Sequence, residues 1–128
     1  MFKQRSDRAR NLIHLVSTAE VTTTDLLGHR RTAILTARDL GRPFVVVNDL
    51  TECTTVSSTA AQELAETVRH LVPFGLSSEL RLVSDDTPTA LPEAFDHPES
   101  DVAVDVVTVP SGDSVDTALD AHLDRARC

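Results

Sequence analysis

The apolar residues of this chain fall into two alternating kinds of segment. Short runs rich in β-branched residues predict strands, and stretches whose apolar residues return every three or four positions predict helices. The predicted strands are residues 2–6, 11–16, 44–48, 79–84 and 102–109. The predicted helices run from caps at residues 22–24 to Gly41, from Thr59 to Pro73, for a short turn after Thr87, and over residues 113–125.

This order of elements, β-β-α-β-α-β-α-β-α, predicts an α/β fold. Strands that alternate with helices form a largely parallel sheet with helices on both faces, and the opening hairpin adds an antiparallel edge. Asp105 interrupts the apolar run of the last strand, which places that strand near an edge of the sheet. We expect residues 1–128 to form a single domain.

The most informative segment follows the central strand, residues 44–48. In open α/β sheets, ligands and switches lie outside the carboxyl ends of such strands. Asp49 stands at that end, and we expect it to accept hydrogen bonds from amides of its own loop. A hydroxyl-rich loop then leads to the second helix, where Thr59 and Gln62 have the spacing of a capping box. The candidate contact surface comprises Asp49, Thr51, Thr54, Thr55, Ser57, Ser58 and Thr59.

The chain is acidic, with a formal net charge of −8. Phosphate neutralisation requires basic surface, so we expect no nucleic-acid partner. The charge is unevenly placed, because no Lys or Arg lies between Leu82 and Leu123, where ten acidic residues occur. This stretch is interpreted as an ordinary solvated surface, and the alternative is an acidic face for a basic protein partner.

Two further observations bear on the cellular compartment. No segment approaches the ~20 apolar residues of a membrane span, and no apolar region follows the charged N-terminus as in a secretory signal. We therefore expect a cytoplasmic protein. Cys53 and Cys128 have no zinc or CxxC spacing, and a disulfide is not expected in a reducing compartment.

Motifs for catalysis and nucleotide binding are missing from the sequence. It contains no GxGxxG, GxxxxGK[ST] or GxSxG pattern. A phosphatase that used Cys53 as its nucleophile would need an Arg shortly after it to hold the phosphate. The first Arg after Cys53 is Arg69. An Asp49 that accepts phosphate would need a Lys on the last strand, and the only Lys is Lys3. We expect no enzymatic activity and no cofactor.

Acidic and histidine side chains are the candidate metal ligands of this chain. Asp49, Glu52, Asp85 and Asp86 follow strand ends, where hard cations find carboxylates, but acids in such places are commonly turn residues. We expect no metal. The histidines show no ligand spacing, and His14 in a strand and His122 on a helix stripe are expected to be satisfied packing residues.

The order of elements and the central segment together resemble those of STAS domains, the fold of anti-sigma-factor antagonists. The hallmark of that family is an apolar strand ending in Asp-Leu-Ser and, a few residues later, Asp-Ser-Ser/Thr-Gly-Leu at the start of a helix. Here Asp49-Leu50-Thr51 is followed by Ser57-Ser58-Thr59-Ala60-Ala61. Asp116-Thr117-Ala118-Leu119 also resembles the last helix of the family, and the likeness in order and length covers nearly the whole chain.

The resemblance implies a regulator that binds another protein. In the family, a partner kinase phosphorylates the Ser that follows the motif's Asp and thereby releases the antagonist, and that position is Ser58 here. The chain departs from the motif at three positions: Ser57 replaces its Asp, Ala60 its Gly and Ala61 its Leu. In the family the Asp helps to present the Ser, and the Gly allows close approach of the partner.

Two classes of function are therefore expected. The first is a non-catalytic regulatory or protein-interaction domain that contacts a regulator or kinase through residues 51–64, with Ser58 as the switch. The alternative is a domain of the same fold that binds a small ligand, a lipid or a nucleotide. The few aromatic residues, four Phe and no Trp or Tyr, offer little for stacking on bases. A homodimer formed through an edge strand or an apolar helix face is compatible with either class.

Overall fold

A computed structural model describes residues 1–41, 43–95, 103–109 and 115–126. Strands and helices alternate along the chain as the hydrophobic pattern predicts. The elements are β1 (Phe2–Asp7), β2 (Leu12–Val21), α1 (His29–Leu40), β3 (Phe44–Val56), α2 (Ser58–Leu71), a 3-10 turn (Val72–Phe74), β4 (Leu76–Val83), α3 (Ala90–Phe95), β5 (Ala103–Thr108) and α4 (Val115–Ala126). The expectations for Cys128, His97 and residues 102, 113 and 114 lie outside the described residues.

The strands form one five-stranded mixed sheet in the order β1-β2-β3-β4-β5. The β1–β2 hairpin is antiparallel, and β2 through β5 are parallel to one another. The predicted α/β class and the antiparallel N-terminal edge are therefore confirmed. Strand β5, with Asp105, lies at the opposite edge, as the interrupted apolar run indicates.

Helices cover both faces of the sheet. Residues such as Ile13, Phe44 and Val46 pack toward α1 and α2, while Val45 and Val47, their neighbours in β3, pack with Leu119 and Leu123 of α4 on the other face. Successive side chains of a strand point to opposite faces, which explains this division. Helices α1, α2 and α3 share one face because each connects neighbouring parallel strands with the same handedness.

Strand β3 is much longer than predicted. The segment expected to be a hydroxyl-rich loop continues as strand to Val56, where it pairs with β2, which also runs past its predicted end. The pairing slips along the way, because Val16 lies opposite Asp49 whereas Thr18 lies opposite Glu52. The loop prediction was wrong because threonine is β-branched and favours strands, although its hydroxyl also suits turns.

The first helix begins later than predicted. The Thr22 amide donates to the Asp25 carboxylate at 3.0 Å, and the Asp25 amide donates to Thr22 Oγ1 at 3.3 Å. This reciprocal pair closes turns instead of starting a helix. Gly28 then adopts a φ of 77°, a conformation in which other residues are strained, and α1 starts at His29.

Candidate functional site

The N-terminus of α2 is held by Ser57. Its backbone is extended, and its side-chain oxygen accepts a hydrogen bond from the Ala60 amide at 3.1 Å. The Ser57 carbonyl accepts the Ala61 amide at 2.9 Å, the first helical bond of α2. The cap therefore lies two residues earlier than the capping-box spacing predicts, and the prediction that Thr59 caps the helix was wrong. Asp, Asn and Ser are about equally favourable caps, so Ser57 is well suited to this position.

Ser58 is the first residue of α2 and is exposed to solvent. The first amides of any helix have no acceptor within it, and here Ser57 satisfies the amide of Ala60. No described residue outside the helix accepts the amides of Ser58 or Thr59, so both can donate to an external acceptor. Together with the positive end of the helix dipole, they favour an anion at the Ser58 side chain.

Asp49 caps its own segment, as predicted. One of its carboxylate oxygens accepts the Thr51 amide at 3.1 Å and the Thr51 hydroxyl at 2.7 Å. The Thr51 carbonyl in turn accepts the Ser84 hydroxyl at 2.9 Å, which ties β3 to the end of β4. Asp49 and Thr51 are half-buried and serve this junction.

The other candidate residues lie along the end of β3. Thr54 and Thr55 are exposed, and the Thr54 hydroxyl donates to the Ala19 carbonyl of β2 at 3.3 Å. No hydrogen bond among the described residues joins Asp49 to Ser58. The structure thus divides the predicted surface into a half-buried junction and an exposed part formed by Thr54, Thr55 and the start of α2.

Cys53 is buried in the core and hydrogen-bonds through its thiol to the Thr55 carbonyl at 3.8 Å. Burial raises the pKa of this thiol, since a thiolate loses its hydration there. A thiol in this state is a poor nucleophile.

The carboxylates that follow the strand ends do not form a cation site. Among the residues that the structure describes, which include Asp49, Glu52, Asp85 and Asp86, no three metal-binding side chains come close enough to hold an ion. Asp85 and Asp86 are exposed turn residues, whereas Asp49 and Glu52 lie within β3.

Sequence reasoning missed a hydrogen-bonded chain that includes His122. Its Nε2 atom lies 3.0 Å from Ser78 Oγ on β4, and its Nδ1 atom lies 2.7 Å from an Asp105 oxygen on β5. This is the order of atoms in a Ser-His-Asp triad. Ser78 is only 4% exposed, however, because α4 packs over β4. A substrate cannot reach the hydroxyl, so we assign the chain to the packing of α4, the role expected for His122.

A second polar cluster lies on the opposite face of the sheet, toward α2. Glu79 and Arg81 alternate with apolar residues in β4 and form a buried ion pair at 2.9 Å. Asn48 of β3 lies in register with Arg81 and is fully buried. The signal for this cluster is an acid and a base two positions apart in an apolar strand, which places both on one face.

Comparison with protein-family models, with curated proteins and with solved structures finds no match. In the parts of the chain that the structure describes, no helix is both long and apolar enough to cross a membrane.

Proposed function

We propose that this chain is a non-catalytic regulatory domain of STAS-like architecture that binds another protein, and that Ser58 is its switch. The observation that carries this proposal is that two adjacent serines have different roles. Ser57 is committed to the helix cap, whereas Ser58 is exposed at the first position of α2. A modification of Ser58 therefore leaves the cap intact.

The chemistry of the site favours a phosphate at Ser58. A phosphoserine adds about two negative charges, and the free amides and dipole at the start of α2 stabilise them. The added charge also changes the surface that a protein partner meets. Phosphorylation at this position would thus alter binding without unfolding the domain.

The departures from the STAS motif have different consequences for the proposal. Ser57 supplies the capping hydrogen bond that an Asp at this position can also make. Ala60 and Ala61 are fully buried in the core formed with Leu64. A partner does not touch these two positions, so the contact surface we propose consists of Thr54, Thr55, Ser58 and Thr59, which are all exposed.

The proposal is tested in two steps. Protein recovered from cells is analysed for phosphate by mass spectrometry, with Ser58→Ala and Thr59→Ala as matched variants. We expect phosphate on Ser58, its loss in Ser58→Ala and its retention in Thr59→Ala. Partners are then captured with wild type, Ser58→Glu and Ser58→Ala after each is shown to be folded.

A partner that binds wild type and Ser58→Ala but not Ser58→Glu supports a charge switch at Ser58. Equal capture by all three proteins, with no phosphate on Ser58, contradicts it. A lipid or nucleotide recovered with the purified protein in stoichiometric amount would instead support the small-ligand alternative.

A further inference from the structure

Helix α1 buries two alanines and exposes a leucine. Ala33 and Ala37 are fully buried against the sheet and α2, whereas Leu35 is 53% exposed. Leu27, in the turn before the helix, is 78% exposed. Single exposed leucines are ordinary, but these two flank a groove of about 790 Å³ that also includes Ile34.

One side of α1 presents an exposed leucine between two arginines. Arg31, Leu35 and Arg38 follow one another at intervals of four and three residues, which places them on one side of α1, and Leu27, in the turn before the helix, lines the same groove. From Arg31 to Arg38 this side spans about 10 Å. This length matches about two turns of a second helix laid alongside.

The groove carries an excess of positive charge. Its lining includes Arg30, Arg31 and Arg38 and one acid, Glu63 of α2, which pairs with Arg30. The Arg38 guanidinium lies 5.3 Å from the centre of the Phe74 ring, and Arg31 forms no ion pair among the described residues. Neither Arg31 nor Arg38 is therefore paired with an acid of the described residues, and both lie beside an apolar floor in a chain of net charge −8.

We propose that the groove binds an acidic amphipathic helix of a partner protein. An apolar stripe on that helix would cover Leu27 and Leu35, and its flanking carboxylates would meet Arg31 and Arg38. Helices commonly dock their apolar stripe into such a groove. The repulsion between an acidic segment and most of this acidic chain would favour the groove over other sites. The groove is separate from Ser58, so this proposal does not depend on the proposed switch.

The test uses two synthetic peptides of about 15 residues, a length at which isolated helices begin to form. Both carry leucines at helical spacing, and the remaining positions are Glu-rich in one and Lys-rich in the other. Each is titrated into the isotope-labelled full chain and followed by NMR. We expect the Glu peptide to shift amide signals of residues 23–38 and Glu63, and the Lys peptide to bind at least about ten-fold more weakly.

Two exposed arginines provide matched variants. Arg31→Glu is expected to weaken the binding of the Glu peptide about ten-fold. Arg5→Glu, on β1 outside the groove, is expected to leave the affinity for this peptide unchanged. Leu35→Glu, at an exposed position, is expected to abolish binding while preserving the thermal unfolding transition.

Several results would overturn the proposal. These are equal binding of both peptides, signal shifts outside the groove, or equal effects of the two arginine variants. Self-association that Leu35→Glu abolishes would make the occupant a second copy of the chain. If dodecanoate shifts the amide signals of the groove residues and neither peptide binds, the groove would be reassigned as a site for a small amphipathic anion.

Discussion

His122 on α4 and Asp105 on β5 are joined by a hydrogen bond of 2.7 Å, with His122 only 3% exposed. The opposite nitrogen of the same ring contacts Ser78 on β4. One imidazole therefore links the last helix to two neighbouring strands. Because the ring is enclosed, each of its polar atoms is satisfied by the protein and not by water.

Replacing His122 with Ala should lower the free energy of unfolding by about 2–3 kcal/mol, since it leaves a cavity and an unpaired Ser78 hydroxyl. His70→Ala is the control, because His70 is exposed on α2 and should change stability by less than about 0.5 kcal/mol. Urea denaturation measures both. Covalent labelling of Ser78 by a fluorophosphonate would contradict the packing role, because it requires an accessible, activated hydroxyl.

The cap of α2 gives a second prediction. Ser57→Ala removes the acceptor of the Ala60 amide and should destabilise the protein by about 1 kcal/mol. Thr59→Ala, two positions later and exposed, should be nearly neutral, and Ser57→Asp should retain most of the stability because Asp is also a good cap. Thermal unfolding of the three variants provides the comparison. A larger loss in Thr59→Ala than in Ser57→Ala would refute the assignment of the cap.

His29 predicts how stability varies with pH. Its Nε2 atom lies 2.8 Å from Thr67 Oγ1, and the centroids of the His29 and Phe2 rings lie 4.7 Å apart in an edge-to-face arrangement. Burial, with a smaller contribution from the charge of Arg30, lowers the pKa of His29 to about 4, from 6.5. Between these values the unfolded chain binds a proton that the folded protein does not. The stabilisation by neutral His29 is therefore fully present above pH 6.5. As the pH drops toward 4, the free energy of unfolding falls by about 3 kcal/mol in all.

The variant His29→Gln isolates this effect. The difference in unfolding free energy between wild type and variant should depend on pH between about 4 and 6.5 and be constant above that range. His70→Gln, at an exposed site, provides the matched comparison. A constant difference for His29→Gln from pH 4 to 7 would show that His29 keeps an ordinary pKa in the folded protein.

The buried ion pair gives the largest expected effect. Arg81→Leu leaves the Glu79 carboxylate buried without its 2.9 Å partner and should cost about 3–5 kcal/mol at neutral pH. Arg69→Leu, which breaks the more exposed pair with Glu66 on α2, should cost less than about 1 kcal/mol. Similar losses in the two variants by urea denaturation would argue against the burial of the Glu79–Arg81 pair.

The parts of the fold that follow from periodicity were predictable. The α2 stripe of Ala61, Leu64, Ala65, Val68 and Leu71 is buried as its helical spacing indicates. The end of β3 was not predictable, because Thr51 and Thr54 suit both strands and turns. Only the pairing with β2 decides between the two structures. Local choices of this kind depend on a neighbour that sequence spacing does not reveal.

The same limit applies to the candidate site. The self-capping of Asp49 was predictable because it involves residues two positions apart. Ser78, Asp105 and His122 meet across three elements, and no spacing along the chain connects them. The groove on α1 was not predicted either: Leu27 has helical spacing with core residues such as Ile34, but it precedes α1 and lies on the outside.

The strand order of the sheet is identical to the order of the strands along the chain. During synthesis, each new strand therefore emerges when its only earlier neighbour is already available, and no later strand has to insert between two others. Such sequential pairing keeps contacting residues close along the chain, and loop closure of this kind favours rapid folding. We expect the domain to assemble on the ribosome as a sheet that grows from β1 in one direction.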